Sequence, residues 1–342
     1  MQAGRQSILI ATIPLLLAAA LPLAASGRQE PGPASMQAAP ASAGHPLSFV
    51  FVPKGVHPYF EPVYRGFQDA ATRYSVATEM DAPPRFDVTL QAKLIEDLIA
   101  SGVDGIAISA DDDKGLVPVI HEAMQAGIKV ITVDAPAPSS EALTYIGTDN
   151  ASAGYTAGRR MAAAMKGTGS VAVLQGGLAA TNLNLRTQGF RKGLAEAGPA
   201  ITVIGVVDEG GDFSESVNRT ESLLASHPTL SAIFSVSAEG APAAAAVVKR
   251  RGLAGKVLIA GFDDLGDTLT GIRDGSISFC VVQNTYRMGW LSVEQLLAAV
   301  KGERIPDFID TGVVFVDRAN LDTYRGLMEK EAAAKQMAVP RQ

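Results

Sequence analysis

The sequence predicts an α/β protein of two doubly wound, Rossmann-like lobes with parallel sheets, and a repeated unit carries that prediction. Residues 102–136 and 230–264 each read as strand, helix and strand, and their final strands run into Asp134 and Asp263. Ligands bind at the carboxyl ends of the strands in open α/β sheets. Two acids at such strand ends therefore predict a ligand held between two similar lobes.

Length and composition agree with this fold class. The chain of 342 residues is long enough for two domains, and it is rich in the small and β-branched residues that pack α/β layers. The net charge of −6 argues against nucleic acid as a partner. Cys280 is the single cysteine, so no intrachain disulfide is expected, and its apolar neighbours predict a buried thiol.

The N-terminus predicts export. Arg5 precedes an apolar stretch over residues 8–25, and small residues follow where a signal peptidase would cut. We expect cleavage after a signal peptide of residues 1–26, with an uncleaved anchor as the alternative. Ser26 stands where a lipoprotein needs cysteine, so lipid attachment is not supported. Residues 27–46, rich in Pro, Ala, Ser and Gly, predict a tether.

Alternating strands and helices predict the first lobe. Residues 47–53 form an apolar strand, and the next helix places Val63, Phe67 and Ala70 on one face at the 3.6-residue period. Gly102 is a suitable stop for the second helix. The following elements are a strand at 105–109, a helix at 116–128, a strand at 129–134, a short strand or crossover at 144–150, and a helix over 150–166 capped by Asn150.

The same alternation continues in the second lobe. Its elements are strands at 170–176, 202–208, 230–237, 256–264 and 276–283, and helices at 185–198, 214–228 and 241–253. A long amphipathic helix at 287–302 returns to the first lobe, and residues 310–316 cross back. The expected boundaries are 47–148 plus 284–312 for the first lobe, 149–283 plus 313–322 for the second, and 323–342 for a charged tail.

Seven segments in order resemble the periplasmic sugar-binding proteins of ABC importers, specifically the ribose/galactose type that shares its fold with LacI-type repressor cores. They are FVPKGVHPYF, VITVDAP, YIGTDN, LQGG with LRTQGF, SVSAEGAPAA, GFDD and VVQNTYRMG, and the likeness spans residues 47 to about 322. The resemblance implies the type I periplasmic binding fold, with two lobes joined by three crossovers. A repressor would carry a DNA-binding helix-turn-helix where this chain has the predicted signal peptide.

The resemblance also implies a function. A monomer in the periplasm would close on a sugar or polyol and deliver it to a permease in the inner membrane, with no catalytic residue, cofactor, metal or nucleic acid involved. The alternatives are a sensor of the same fold that signals to a kinase or chemoreceptor, and an α/β enzyme. The chain lacks G-x-S-x-G, Walker A and G-x-G-x-x-G motifs, and its four histidines show no metal-ligand spacing.

The resemblance places ten residues in the ligand site. In that role aromatic rings pack on sugar faces, while charged and amide groups bind hydroxyls. For the aromatic residues Tyr59, Phe60 and Phe213 the alternative is ordinary hydrophobic packing. For Asp134 it is capping of a helix or turn. For Arg186 and Lys54 it is an exposed, solvated side chain. The full set is Lys54, His57, Tyr59, Phe60, Asp134, Arg186, Phe213, Ser237, Asp263 and Gln283.

Three departures from the ribose-binding pattern bear on the ligand. Ala135 follows Asp134 where that pattern has arginine, which argues against ribose. Ser237 and Ala238 stand where it has asparagine and aspartate, which predicts a roomier or less polar wall there. Pentoses, hexoses, deoxy-sugars, polyols and an autoinducer-2-like ligand all stay open.

Overall fold

The structure is a computed structural model that describes residues 46–328. The predicted signal peptide, almost all of the predicted tether and the end of the predicted tail lie outside the described residues. Within residues 46–328, no helix is long and apolar enough to cross a membrane.

The described chain alternates strands with helices, as the sequence predicts. Its strands are β1 (Ser48–Val52), β2 (Ala77–Met80), β3 (Gly105–Ile108), β4 (Lys129–Val133), β5 (Tyr145–Gly147), β6 (Thr168–Gln175), β7 (Ala200–Asp208), β8 (Ala232–Ser235), β9 (Leu258–Phe262), β10 (Phe279–Gln283), β11 (Phe308–Asp310) and β12 (Val313–Val316). Its α-helices are α1 (Glu61–Tyr74), α2 (Val88–Ser101), α3 (Val117–Gln125), α4 (Asn150–Ala164), α5 (Thr181–Ala197), α6 (Phe213–Ser226), α7 (Gly240–Arg250), α8 (Gly266–Asp274) and α9 (Thr285–Val300).

The strands form two six-stranded sheets with the same winding. The first has the order β11-β5-β4-β3-β1-β2 and the second the order β12-β10-β9-β8-β6-β7. All neighbouring strands run parallel except β10 and β12, which are antiparallel. In each sheet the chain leaves the first strand in one direction and returns to build the other, which is the doubly wound pattern. The predicted fold of two doubly wound lobes is confirmed, and the repeated units are β3-α3-β4 and β8-α7-β9.

Each sheet is buried on both faces. Along β1, Phe49 and Phe51 pack with α1 and α9, whereas Val50 and Val52 pack on the opposite face with α2 and α3. The second sheet likewise separates two apolar clusters. Cys280 is fully buried in one of them, as predicted. The polar side chains of the site lie at the carboxyl ends of these buried strands.

The start of α4 differs from the sequence expectation. Asp149, not Asn150, is the capping residue, because its carboxylate accepts the backbone N–H of Ser152 at 3.0 Å. Asn150 is the first helical residue and is buried, and its side-chain amide donates to the hydroxyl of Tyr145 and to the carbonyl of Thr148. The side chain of Asn150 thus does not cap the helix and is hydrogen-bonded to Tyr145, Thr148 and Arg186 instead.

The start of the predicted charged tail is also ordered. Tyr324 is 4% exposed and belongs to the core of the second sheet. Its hydroxyl donates to Oδ2 of Asp264 at 2.7 Å. Tyr324 lies two residues beyond the expected end of the second lobe. Its ring packs in the apolar core and its hydroxyl bonds to Asp264, and these two contacts hold it in place.

Candidate functional site

The two acids that end the repeated units occupy equivalent places. Asp134 follows β4 and Asp263 follows β9, with φ of 64° and 68°, in the left-handed region that few non-glycine residues adopt. The backbone N–H of each donates to the neighbouring strand, to Ile146 at 3.0 Å and to Val281 at 2.8 Å. This shared backbone turn takes both carboxylates out of the strand path, and both line one cleft.

A chain of hydrogen bonds connects the two acids. The hydroxyl of Tyr59 donates to Oδ1 of Asp134 at 2.6 Å. The amide of Gln283 donates to Oδ1 of Asp263 and to the oxygen of Tyr59, both at 2.9 Å. Ser109 donates to the other oxygen of Asp134 at 2.7 Å. Both carboxylates are therefore held in place and keep lone pairs for further donors.

Arg186 organises the second lobe's side of the cleft. Its Nε donates to Asn150 at 2.8 Å, and its two terminal nitrogens donate to the carbonyl of Val236 at 3.0 Å and to Gln283 at 2.7 Å. The guanidinium lies 4.2 Å from the ring centroid of Phe262 and is 2% exposed. The alternative of an exposed helical arginine is wrong, and two of the five N–H donors are left for a ligand.

Lys54 reaches into the same cleft from the loop after β1. It is 5% exposed, so the solvated alternative is wrong, and its ammonium donates to Oδ1 of Asn182 at 3.1 Å. Burial lowers the pKa of Lys54, while the charges of Asp134 and Asp111 oppose that shift. Asn182 takes one of the three ammonium donors, which leaves two for ligand oxygens.

Burial also shifts the acid and phenol groups of the cleft. It raises the pKa of Asp263 to about 7, although Arg186 and Gln283 act in the opposite direction. The pKa of Tyr59 lies well above its usual value because the ring is buried and Asp134 is adjacent. Tyr59 is thus a neutral donor, and Asp263 changes its charge near neutral pH when the cleft holds no ligand.

His57 links the two lobes. Its Nδ1 accepts the backbone N–H of Tyr59 at 3.1 Å, and its Nε2 contacts Oε1 of Glu239, which precedes α7 in the second lobe. Burial lowers the pKa of His57, but the hydrogen bond and charge of Glu239 outweigh it, so the pKa lies above its usual value. The hydrogen bond from Tyr59 opposes a second proton at Nδ1.

The wall around Ser237 contains two carboxyl groups beside the substituted positions. Ala238 is apolar, but Glu239 lines the cleft, and the hydroxyl of Ser237 donates to the fully buried Glu209. Burial raises the pKa of Glu209 to about 7, although hydrogen bonds from Ser237 and Ser216 lower it. Carboxyl groups next to the substituted positions thus supply polarity to this wall, and a roomier or less polar wall than in the ribose-binding pattern stays a prediction.

The aromatic side of the cleft also differs from expectation. Tyr59 and Phe60 line it, and so does Phe86, which follows β2 and packs edge-on to His57 at 6.1 Å. Phe213 does not line the cleft. It is the first residue of α6, directly after the capping Asp212, and is 42% exposed. Asp212 caps the helix through its side chain, and the ring of Phe213 beside it lies at the surface.

Nine of the ten predicted residues line one cleft, which is partly open to solvent. Sequence reasoning missed Phe86, Asn182 and Glu239 among the lining residues. A signal for Glu239 exists, since it is the acid inside the SVSAEGAPAA segment. Phe86 and Asn182 lie in a loop and at a helix start, where nothing in the pattern marks them.

The sequence matches the model of the periplasmic binding protein domain over residues 48–304. The chain belongs to this family. Two curated periplasmic binding protein relatives are the D-ribose/D-allose-binding protein of Pseudomonas aeruginosa, 26% identical over 67% of this chain and 72% of the relative, and the ribose import binding protein of Bacillus subtilis, 27% identical over 73% and 80%.

Solved periplasmic binding proteins share the architecture. A solute-binding protein of an ABC transporter from Burkholderia graminis, in complex with D-arabinose, is 40% identical with a TM-score of 0.79, over 81% of this chain and 97% of that one. The glucose-galactose binding protein of Geobacillus stearothermophilus is 30% identical with a TM-score of 0.78, over 81% and 99%. XylFII, solved in the XylFII–LytSN complex, is 26% identical with a TM-score of 0.76, over 81% and 99%.

Proposed function

We propose that this protein captures a monosaccharide, or a related polyhydroxylated ligand, between its two lobes and delivers it to an ABC importer. The observation that carries the proposal is the hydrogen-bonded chain from Asp134 through Tyr59 and Gln283 to Asp263, inside one cleft. It holds two carboxylates ready to accept hydroxyl hydrogen bonds.

The chemistry of the cleft matches that of a sugar. A sugar has hydroxyls around its rim and apolar patches on its faces. Asp134 and Asp263 supply carboxyl acceptors, and Arg186 and Lys54 supply charged donors, which make the stronger kind of hydrogen bond. Phe86 and its aromatic neighbours supply apolar surface. These groups support binding without a covalent step.

We propose a pentose as the first ligand to test. The 40% identical relative was solved with D-arabinose, and Ala135 stands where the ribose-binding pattern has arginine. D-arabinose therefore ranks ahead of ribose, with xylose, allose, galactose, tagatose and xylitol as further candidates from the relatives' names.

Closure of the lobes is the proposed mechanism. Lys54 bonds to Asn182 and His57 contacts Glu239, and each pair joins one lobe to the other. A ligand that contacts both lobes binds the closed form more tightly and shifts the population toward it. The closed form of a periplasmic monomer, exported by the predicted signal peptide, would then dock on the permease.

Isothermal titration calorimetry of the purified mature protein against this sugar and polyol panel tests the proposal. We expect D-arabinose or another member to bind with micromolar or tighter affinity at a 1:1 ratio, and Asp263→Ala to weaken it at least tenfold. Unchanged affinity in Asp263→Ala would mean that the site is misassigned. Absence of binding by every member would overturn the proposed function.

A second candidate is a sensor that passes ligand binding to another protein. The observation in its favour is that XylFII is solved in complex with LytSN. Uptake of radiolabelled sugar separates the two functions. Loss of uptake in a deletion strain supports import, whereas normal uptake with altered transcription of sugar genes supports sensing.

A further inference from the structure

His57 has no hydrogen-bonding capacity left for a sugar. Its Nδ1 accepts the backbone N–H of Tyr59 at 3.1 Å, in the manner of a helix cap. A ring nitrogen that accepts a hydrogen bond carries no proton, so the proton lies on Nε2. That nitrogen contacts Oε1 of Glu239. The resemblance assigns His57 to direct ligand contact, but both of its nitrogens are occupied by the protein.

Glu239 has the capacity that His57 lacks. It lines the cleft, is 7% exposed and uses Oε1 for His57. Apart from that contact, neither oxygen of its carboxylate has a hydrogen-bond partner within residues 46–328. Glu239 also lies immediately before the first residue of α7, where the helix dipole stabilises a negative charge. A charged acceptor with a free oxygen therefore faces the ligand space.

We infer that Glu239 accepts a hydrogen bond from a ligand hydroxyl and is a specificity-determining residue, with His57 as the positioning residue that orients it. This inference rests on the proposed function and deepens it. Asp134 belongs to the first lobe, and Asp263 and Glu239 belong to the second but follow different strands, β9 and β8. The ligand must then direct one hydroxyl donor toward each of these three carboxyl groups.

The inference defines the ligand class more narrowly. A neutral sugar or polyol with a hydroxyl directed at Glu239 satisfies its free oxygen. A deoxy-sugar lacking that hydroxyl leaves one oxygen of a buried carboxylate without a donor, which is costly. A sugar acid whose carboxylate points to the same wall meets the like charge of Glu239.

Calorimetry with four variants tests the inference. Glu239→Gln keeps the shape and removes the charge, and Glu239→Ala removes the side chain. His57→Asn keeps a capping residue but is too short to reach Glu239. Glu141→Gln is the matched control, because Glu141 forms a surface pair with His121 at 3.1 Å, away from the cleft. The probes are D-arabinose, or the panel sugar that binds best, and its monodeoxy analogues.

We expect Glu239→Gln to weaken binding of the parent sugar about tenfold to a hundredfold, the loss typical of a charge-assisted hydrogen bond. The same variant should bind one monodeoxy analogue as well as the wild type does. His57→Asn should weaken binding less, and it should add nothing to Glu239→Gln when the two are combined. Glu141→Gln should bind like the wild type.

Two results would overturn the inference while leaving the proposed function intact. One is an affinity of Glu239→Gln and Glu239→Ala within twofold of the wild type. The other is an equal loss for the parent sugar and all analogues, which would indicate a role in closure alone. If no sugar binds the wild type, the proposed function and this inference fail together.

Discussion

The hydroxyl of Tyr324 donates to the carboxylate of Asp264 at 2.7 Å, and Asp264 directly follows the cleft acid Asp263. Burial and Asp264 together raise the pKa of Tyr324 to about 12, so the phenol stays a donor at physiological pH. The segment that the sequence assigns to a charged tail is thereby tied to the edge of the sheet that forms the site.

This bond should contribute to stability. We expect Tyr324→Phe to lower the free energy of unfolding by about 1 kcal/mol, the usual value of one hydrogen bond that loses a partner. Tyr286→Phe is the control, because Tyr286 makes the same bond to Asp69 at 2.9 Å but is 40% exposed. It should change stability by less than about 0.5 kcal/mol. Urea unfolding followed by circular dichroism measures both, and equal effects would contradict the prediction.

Asp263 should make the ligand-free protein less stable as pH rises. Its pKa of about 7 in the folded protein exceeds the ordinary value of 3.8, so the folded state holds the proton more tightly than the unfolded state. The stability linked to this proton is complete below pH 4 and is lost as pH rises through 7. Asp263→Asn removes this titration. We expect the change that it causes in the free energy of unfolding to be more stabilising at pH 8 than at pH 4, by about 1–3 kcal/mol.

The same substitution should weaken sugar binding, since an amide is a poorer acceptor than a carboxylate. Asp322→Asn is the control, because the side chain of Asp322 is 90% exposed. Denaturant unfolding across pH 4–8 gives the comparison. If the free energy of unfolding depends on pH in the same way in Asp263→Asn and in the wild type, then burial does not raise the pKa of Asp263.

The sequence predicts the lobes and the strand-ending acids well for a physical reason. Buried parallel strands read as apolar runs, and a polar residue at the end of such a run marks the sheet edge. The positions of Asp134 and Asp263 follow from that local pattern. Gln283 ends β10 in the same way, so it too could be predicted.

The remaining side chains depend on contacts between distant parts of the chain. Glu239 and Asn182 contact His57 and Lys54 only because the two lobes meet. The resemblance places Phe213 in the site, but in the structure it begins α6 after the capping Asp212 and is 42% exposed. A local sequence pattern contains no information on which lobe faces which.

Phe86, and not Phe213, should provide aromatic surface for the sugar. Phe86 lines the cleft beside His57, whereas Phe213 is largely exposed at the start of α6. We expect Phe86→Ala to weaken binding of the panel sugar about three- to tenfold and Phe213→Ala to leave it unchanged. Calorimetry measures both. A larger loss of affinity in Phe213→Ala than in Phe86→Ala would mean that Phe213 contacts the sugar and that the closed form differs from this structure.

Gly211 should be needed for full closure. It follows β7 in the second lobe at φ 71°, and a Cβ there would lie 3.0 Å from the ring of Phe86 in the first lobe. Gly210 has a similar φ of 62°, but a Cβ there would meet nothing within 4 Å. Asparagine tolerates this backbone region, so both glycines can be replaced by it without gross strain.

We expect Gly211→Asn to weaken sugar binding about tenfold, because the added side chain raises the free energy of the closed form and reduces its population. Gly210→Asn should bind like the wild type. Small-angle X-ray scattering provides a second readout, since the radius of gyration should fall on sugar addition in the wild type and in Gly210→Asn but less in Gly211→Asn. A full decrease in Gly211→Asn would mean that Phe86 and Gly211 do not meet when the lobes close.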